Sequence, residues 1–80
     1  MRHMPKVHKY HELVSKLKRY DSRFIIYVEK GKGSHKMIYH PDIDGEEASY
    51  PIKCRGQGTE YDKKTIGRII ERFKLPKGVL

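Results

Sequence analysis

The three-dimensional structure of this chain depends most on residues 35–54, HKMIYHPDIDGEEASYPIKC. Asp44-Gly45 lies near the middle of the stretch, and Asp-Gly between β-prone segments is typical of a tight hairpin turn. Residues 35–40 predict one strand before the turn, and residues 47–54 predict another after it. We therefore expect an antiparallel hairpin at the centre of the fold.

The two strands differ in how clearly they assign a buried face. The second alternates well, with Ala48, Tyr50, Ile52 and Cys54 pointing one way. Pro51 cannot donate to a ladder, so this strand should lie at a sheet edge, or Pro51 should sit where its nitrogen faces outward. In the first strand the alternation is poor and leaves two orientations open. Either Met37 and Tyr39 face the core and His35 shares their side, or Ile38 does and His35 lies on an open face.

The flanking sequence completes an α+β unit. Apolar residues recur with helical spacing between about residues 8 and 20, and residues 24–28 predict a first strand. Asp62 is a candidate N-cap for a second helix, whose apolar stripe continues through Ile66, Ile69, Ile70 and Phe73. The 80 residues predict a single domain, in which residues 1–7 form a loose N-terminal segment. We expect a three-stranded antiparallel sheet with both helices on one face.

Composition indicates the class of partner. Lys and Arg number 18 against 10 Asp and Glu, which gives a formal charge of +8 and a pI near 9.7. A folded basic domain favours nucleic acid first, and an acidic protein or a membrane surface second. The single cysteine, Cys54, excludes an internal disulfide and fits a reducing cytoplasm. The chain has neither a signal-peptide pattern nor an apolar run long enough for a membrane span, so we expect a cytoplasmic location.

One histidine stands in a setting suited to phosphodiester chemistry. A Gly-Ser turn at residues 33–34 places His35 at the start of its strand, where basic residues flank it. Histidine exchanges a proton near neutral pH, and neighbouring cations can hold the negative charge of a phosphate. RNA supplies its own nucleophile, the 2′-hydroxyl, so His35 can act as general base or as general acid. The candidate RNA contacts are Lys32, Ser34, Lys36, Lys53 and Arg55.

The chain resembles the HicA (YcfA-like) toxins, which are mRNA interferases of bacterial type II toxin–antitoxin pairs. The resemblance rests on Gly-Ser-His at residues 33–35, Tyr-His-Pro at 39–41 and a helix that opens around 65–66, and it covers about residues 8–75. It implies a double-stranded-RNA-binding-domain-like α-β-β-β-α fold. It also implies metal-independent cleavage of mRNA with His35 as the catalytic residue, no cofactor, and a cognate HicB-like antitoxin as partner. Two positions depart from the family pattern: Lys36 stands where a second histidine is common, and Ile38 where an aromatic is usual.

The remaining histidines favour structural interpretations. His40 lies opposite His35 by alternation, and we expect it to be hydrogen-bonded near the hairpin. His8 and His11 have a spacing that can bind zinc on a helix, but without further ligands we favour a solvated basic helix. Two rival functions stay open: an RNA-binding module of the same fold that cuts nothing, and an adaptor whose basic surface docks an acidic protein.

Overall fold

The structure, a computed structural model, describes residues 7–28 and 35–80. Its elements in chain order are β1 (His8–Lys9), α1 (Tyr10–Tyr20), β2 (Ile25–Val28), β3 (His35–Ile43), β4 (Glu46–Lys53), β5 (Glu60–Tyr61) and α2 (Lys63–Arg72). The expected order of helix, three strands and helix is confirmed. The short strands β1 and β5 were not expected. The prediction of a loose segment at residues 1–7 falls almost wholly on residues 1–6, which lie outside the described residues.

The main sheet is antiparallel with the order β2-β3-β4. Asp44 and Gly45 connect β3 to β4 with φ angles of 54° and 89°. Positive φ at both central residues is the type I′ geometry, whose twist matches that of the flanking strands. Pro51 lies on β4, an edge strand as predicted, where its missing N–H does not interrupt a ladder within the sheet.

One cluster of buried side chains forms the core. Phe24 and Phe73 meet edge to face at its centre, with ring centroids 5.1 Å apart. The sheet contributes only one of its faces to this cluster, and each helix contributes its apolar stripe. The fully buried members by element are Leu13 and Leu17 of α1, Ile38 of β3, and Ile66 and Ile69 of α2, with Ala48 and Ile52 of β4 nearly so.

The start of α1 is fixed by residues 57–61, which precede α2. We predicted a helix from about residue 8, but residues 8–9 pair with residues 60–61 as a two-stranded sheet, and the helix begins at Tyr10. The first amides of a helix have no partner within it. Here Tyr10 N donates to Thr59 O at 2.8 Å and His11 N donates to Gln57 O at 3.3 Å. The segment before α2 therefore caps α1.

The second helix begins as its sequence predicts. Asp62 is the N-cap, and its Oδ1 accepts a hydrogen bond from Thr65 N at 2.8 Å. The helix ends at Arg72, and Lys74 follows with a φ of 50°. Neither described helix has the length and apolar character needed to cross a bilayer.

Candidate functional site

The face of β3 that carries His35 is the open one. Ile38 is fully buried and His40 is 1% exposed, so the even-numbered residues of the strand face the core. His35, Met37 and Tyr39 therefore project from the other face, where each is partly exposed. Of the two orientations left open by the sequence, the structure has the one that presents His35 to solvent.

A β-bulge between β3 and β4 produces this orientation. Ile43 pairs with Glu46 next to the turn, but farther along His40 pairs with Ala48, so β3 holds one extra residue. Without the bulge, counting back from the turn would set Tyr39 opposite Tyr50 and would place His35 on the core side. A one-residue shift moves every side chain of a strand to the opposite face. The bulge thus exposes His35.

His40 holds the bulge in place. Its Nδ1 accepts the backbone N–H of Asp42, a bulge residue, at 3.0 Å. Nδ1 is therefore unprotonated, and Nε2–H donates to Asp21 Oδ2 at 2.8 Å. The ring of Phe24 packs against the imidazole at 4.7 Å between centroids. The expectation of a hydrogen-bonded structural histidine near the hairpin is confirmed.

The open face presents its side chains in three rows across the sheet. Pairing in register places neighbouring side chains on the same face. The first row joins Ile25, Tyr39 and Ser49, the second Tyr27, Met37 and Pro51, and the third His35 and Lys53. Ile25 and Tyr27 are 50% and 47% exposed. None of these described side chains belongs to the core cluster.

The third row brings two of the predicted site residues together. His35 and Lys53 are direct cross-strand partners, so their Cβ atoms lie about 4.5–5.5 Å apart. Tyr61 holds the end of β4 in place, because its hydroxyl donates a hydrogen bond to Lys53 O at 2.5 Å. Burial raises the pKa of this hydroxyl and keeps it a proton donor. An imidazole beside an exposed ammonium can move a proton next to a bound phosphate.

Lys36, by contrast, lies on the side of the sheet opposite to His35. Its Nζ donates to Tyr10 Oη at 3.2 Å and stands 4.5 Å from the centroid of the same ring. The Tyr10 hydroxyl raises the pKa of Lys36, which therefore stays charged. The structure does not group Lys36 with His35, and its contacts tie β3 to α1.

Arg55 lies next to Lys53 on a groove at the free edge of β4. The groove has a volume of about 470 Å³ and runs toward the start of α2. Arg55 is exposed, and its backbone N–H donates to Thr59 Oγ1 at 2.8 Å. Glu60 and Asp62 also line the groove, and their carboxylates repel phosphate. Lys53 and Arg55 are therefore better placed to contact a phosphate at the open face than inside the groove.

Two further candidates, Lys32 and Ser34, lie outside the described residues, as does the Gly-Ser turn before His35. His35 is the first described residue after that gap. The described part of the site therefore consists of His35 and Lys53 on the open face and Arg55 at its margin.

The acidic residues of the hairpin lie at the other end of the sheet. Tyr39 Oη donates to Glu47 Oε2 at 2.7 Å, and this contact raises the pKa of the Tyr39 hydroxyl. Lys74 Nζ lies 2.6 Å from Asp44 Oδ2. About 25–30 Å of strand separates the turn from His35 at roughly 3.3 Å per residue. The open face thus has a basic end and an acidic end.

The histidines of the first helical region are separated by the fold. His8 lies in β1 and is 2% exposed, with Nε2 at 3.1 Å from Lys16 Nζ. The prediction of a solvated helical position is therefore wrong for His8, because the strand pairing with Tyr61 draws it inside. His11 is exposed on α1. Within residues 7–28 and 35–80, no three potential metal ligands come together.

Sequence reasoning did not single out Tyr27, which the register places on the open face, one row from His35. It was one of six tyrosines with no feature to distinguish it, and its row became clear only from the register of β2 with β3. A signal did exist: Tyr27 alternates with Ile26, which packs against the core. The buried position of Cys54, by contrast, was predicted and is confirmed at 7% exposure.

Comparison with family models, with curated proteins and with solved structures finds no match to this chain.

Proposed function

We propose that this protein is a metal-independent endoribonuclease of the HicA type that cleaves mRNA. The observation that carries the proposal is the position of His35, which is partly exposed on the open face of the sheet and paired directly with Lys53. The Gly-Ser-His motif and the formal charge of +8 support it. The proposal implies a cytoplasmic location, where mRNA is found, and a cognate HicB-like antitoxin as the inhibiting partner.

The chemistry needs only the RNA, water and two side chains. The 2′-oxygen attacks the adjacent phosphorus while the P–O5′ bond breaks, which leaves a 2′,3′-cyclic phosphate and a 5′-hydroxyl. His35 accepts the proton of the 2′-hydroxyl while water protonates the departing 5′-oxygen, or His35 donates a proton to that oxygen while water accepts the proton of the 2′-hydroxyl. Lys53 holds the non-bridging oxygens, on which negative charge grows. Positioned acid–base catalysis contributes about 100- to 10,000-fold to the rate.

The test compares wild type, His35→Ala and His11→Ala on a structured and an unstructured RNA in EDTA, with products resolved on a gel. We expect His35→Ala to lose at least about 100-fold in cleavage rate and to keep RNA binding. His11→Ala, which changes an exposed histidine on α1, should cut like wild type. Cleavage that persists in His35→Ala contradicts the assignment of His35.

A non-catalytic RNA-binding module is the second candidate. The half-exposed Tyr27 on the open face favours it, since an aromatic ring on an uncovered sheet can bind a base without any reaction. Binding without cleavage by wild type would support this candidate over the nuclease. Failure to bind either RNA or DNA would leave the third function, a basic adaptor for an acidic protein.

A further inference from the structure

We propose that the open face binds an unpaired RNA strand, with one base stacked on Tyr27 beside Met37 and the adjoining phosphate held between His35 and Lys53. The inference rests on the proposed function, because it names the form of RNA that the same site takes. It adds a base-binding position to a site that otherwise contains only groups for the phosphate.

The rows of the open face supply the geometry. Tyr27 pairs with Met37, and the next row along β3 joins His35 and Lys53. Residues two apart on a strand are separated by about 6.6 Å, a distance that one extended nucleotide can bridge. Tyr27 is 47% exposed, so a face of its ring is available to a ligand. Met37 offers a polarisable neighbour for the rim of a stacked base.

The form of the RNA follows from what a ring on a sheet can contact. In a duplex the bases stack on one another and do not offer their faces, and a protein reads such RNA by its shape and backbone. A single strand can splay a base onto an aromatic side chain. Stacking tolerates any base, because each has a π-face. A preference for unpaired RNA is therefore expected without a strong sequence preference.

The charge of the face favours nucleic acid over a protein partner. Its apolar side chains lie beside a basic end formed by His35, Lys53 and Arg55, and aromatic rings next to cations are the usual components of a single-strand binding surface. The acidic hairpin lies at the opposite end, where Glu47 is bonded to Tyr39. A phosphate backbone is attracted to one end and repelled at the other, so the strand should cross the sheet near His35.

Binding can be measured separately from cleavage. The probe is a fluorescein-labelled 2′-O-methyl RNA, which lacks the free 2′-hydroxyl and cannot be cut by the proposed reaction. Its affinity is determined by anisotropy, single-stranded and as a blunt duplex, for wild type, Tyr27→Ala and Tyr27→Phe. The matched control is Tyr20→Ala, since Tyr20 is 50% exposed but lies at the end of α1. Tyr27 lies outside the core cluster, so its replacement should leave the fold intact.

We expect wild type to prefer the single strand, and Tyr27→Ala to bind it about 5- to 150-fold more weakly. Tyr27→Phe should retain the affinity, because the ring and not the hydroxyl makes the contact. Tyr20→Ala should bind like wild type. Equal affinity of Tyr27→Ala and wild type for the single strand would overturn the proposal, as would a preference for the duplex.

The outcome is distinguishable from that of the proposed function. A protein that shows the Tyr27 effect but never cuts natural RNA keeps this binding site and loses the nuclease assignment. A protein that cuts through His35 but binds equally well without the Tyr27 ring keeps the nuclease assignment and loses this site. Absence of all nucleic-acid binding by wild type overturns the proposal and leaves the face to a protein partner.

Discussion

At the scale of single residues, the neutral imidazole of His40 joins the bulge of β3 to the segment before β2. Its two nitrogens bond to the Asp42 amide and the Asp21 carboxylate, which lie on either side of it in space. Arg23 Nη2 approaches the same carboxylate at 3.0 Å from the solvent side. A buried polar group must find such partners, since leaving one unpaired costs about 1–3 kcal/mol. The network therefore favours one register over its alternatives.

The ionisation of Asp21 predicts how stability responds to acid. The Arg23 side chain first, then the Arg23 amide and His40, hold the pKa of Asp21 well below its ordinary value of 3.8. A carboxylate whose pKa is lowered by folding stabilises the protein above its unfolded pKa, and the contribution is lost as the pH falls below that value. Asp21→Ala should lose about 1–3 kcal/mol at neutral pH, because His40 Nε2–H loses its acceptor. Urea unfolding should show that the difference in free energy of unfolding between Asp21→Ala and wild type becomes smaller as the pH drops below about 4.

A control is provided by an exposed carboxylate in the turn of the β3–β4 hairpin. Asp44 forms its ion pair with Lys74 while 71% exposed, and such pairs contribute between about 0 and 1 kcal/mol. Asn tolerates the positive φ of this position, so Asp44→Asn should unfold within about 1 kcal/mol of wild type. If Asp44→Asn lowered the free energy of unfolding as much as Asp21→Ala, the hydrogen bond from the buried His40 would not explain the loss at Asp21.

At the scale of elements, the β3–β4 hairpin depends on the left-handed backbone of its turn. Gly45 has a φ of 89°, and an added Cβ would meet no atom within 4 Å. Gly45→Ala should therefore destabilise through backbone strain alone, by about 1–2 kcal/mol. Gly58→Ala is the matched control, because that glycine also has open space but no positive φ. Thermal unfolding of the two variants measures the difference, and equal midpoints would contradict the role of the turn.

Local patterns predicted most of these elements. The Asp-Gly turn, the cap at Asp62 and the apolar stripes of both helices each act over a few residues, so they are visible in the sequence. The face of β3 was not predictable from alternation, because Met37, Ile38 and Tyr39 are all apolar. It depends on a bulge held by contacts to Asp21, nearly twenty residues earlier in the chain. Long-range contacts of that kind leave no periodic signal.

The same reasoning explains which candidate site residues the fold brings together and which it separates. His35 and Lys53 were both candidates, and the register of the hairpin makes them partners. Lys36 was grouped with them because it follows His35 in sequence, yet successive residues of a strand face opposite ways. Its partner Tyr10 belongs to α1, and only the packing of that helix against the sheet reveals the contact.

At the scale of the whole molecule, the charge of +8 predicts a strong dependence of RNA binding on salt. Each phosphate contact releases counterions, and the logarithm of the affinity for single strands falls with a slope of about −0.7 per contact. Lys53→Gln should reduce the magnitude of that slope by about 0.7. Lys18→Gln, which removes the same charge from the exposed side of α1, should leave the slope unchanged. Equal effects of the two variants would indicate that binding follows net charge and not the open face.

The pairing of His8 with Tyr61 also affects when the start of α1 can reach its final structure during synthesis of the chain. The first helix receives its capping carbonyls from Gln57 and Thr59, which a ribosome adds about 40 residues after the helix itself. Until those residues emerge, α1 lacks the partners of its first amides and the buried side of β1 has no strand beside it. The capped start of α1 therefore forms only after the chain has been synthesised as far as Thr59.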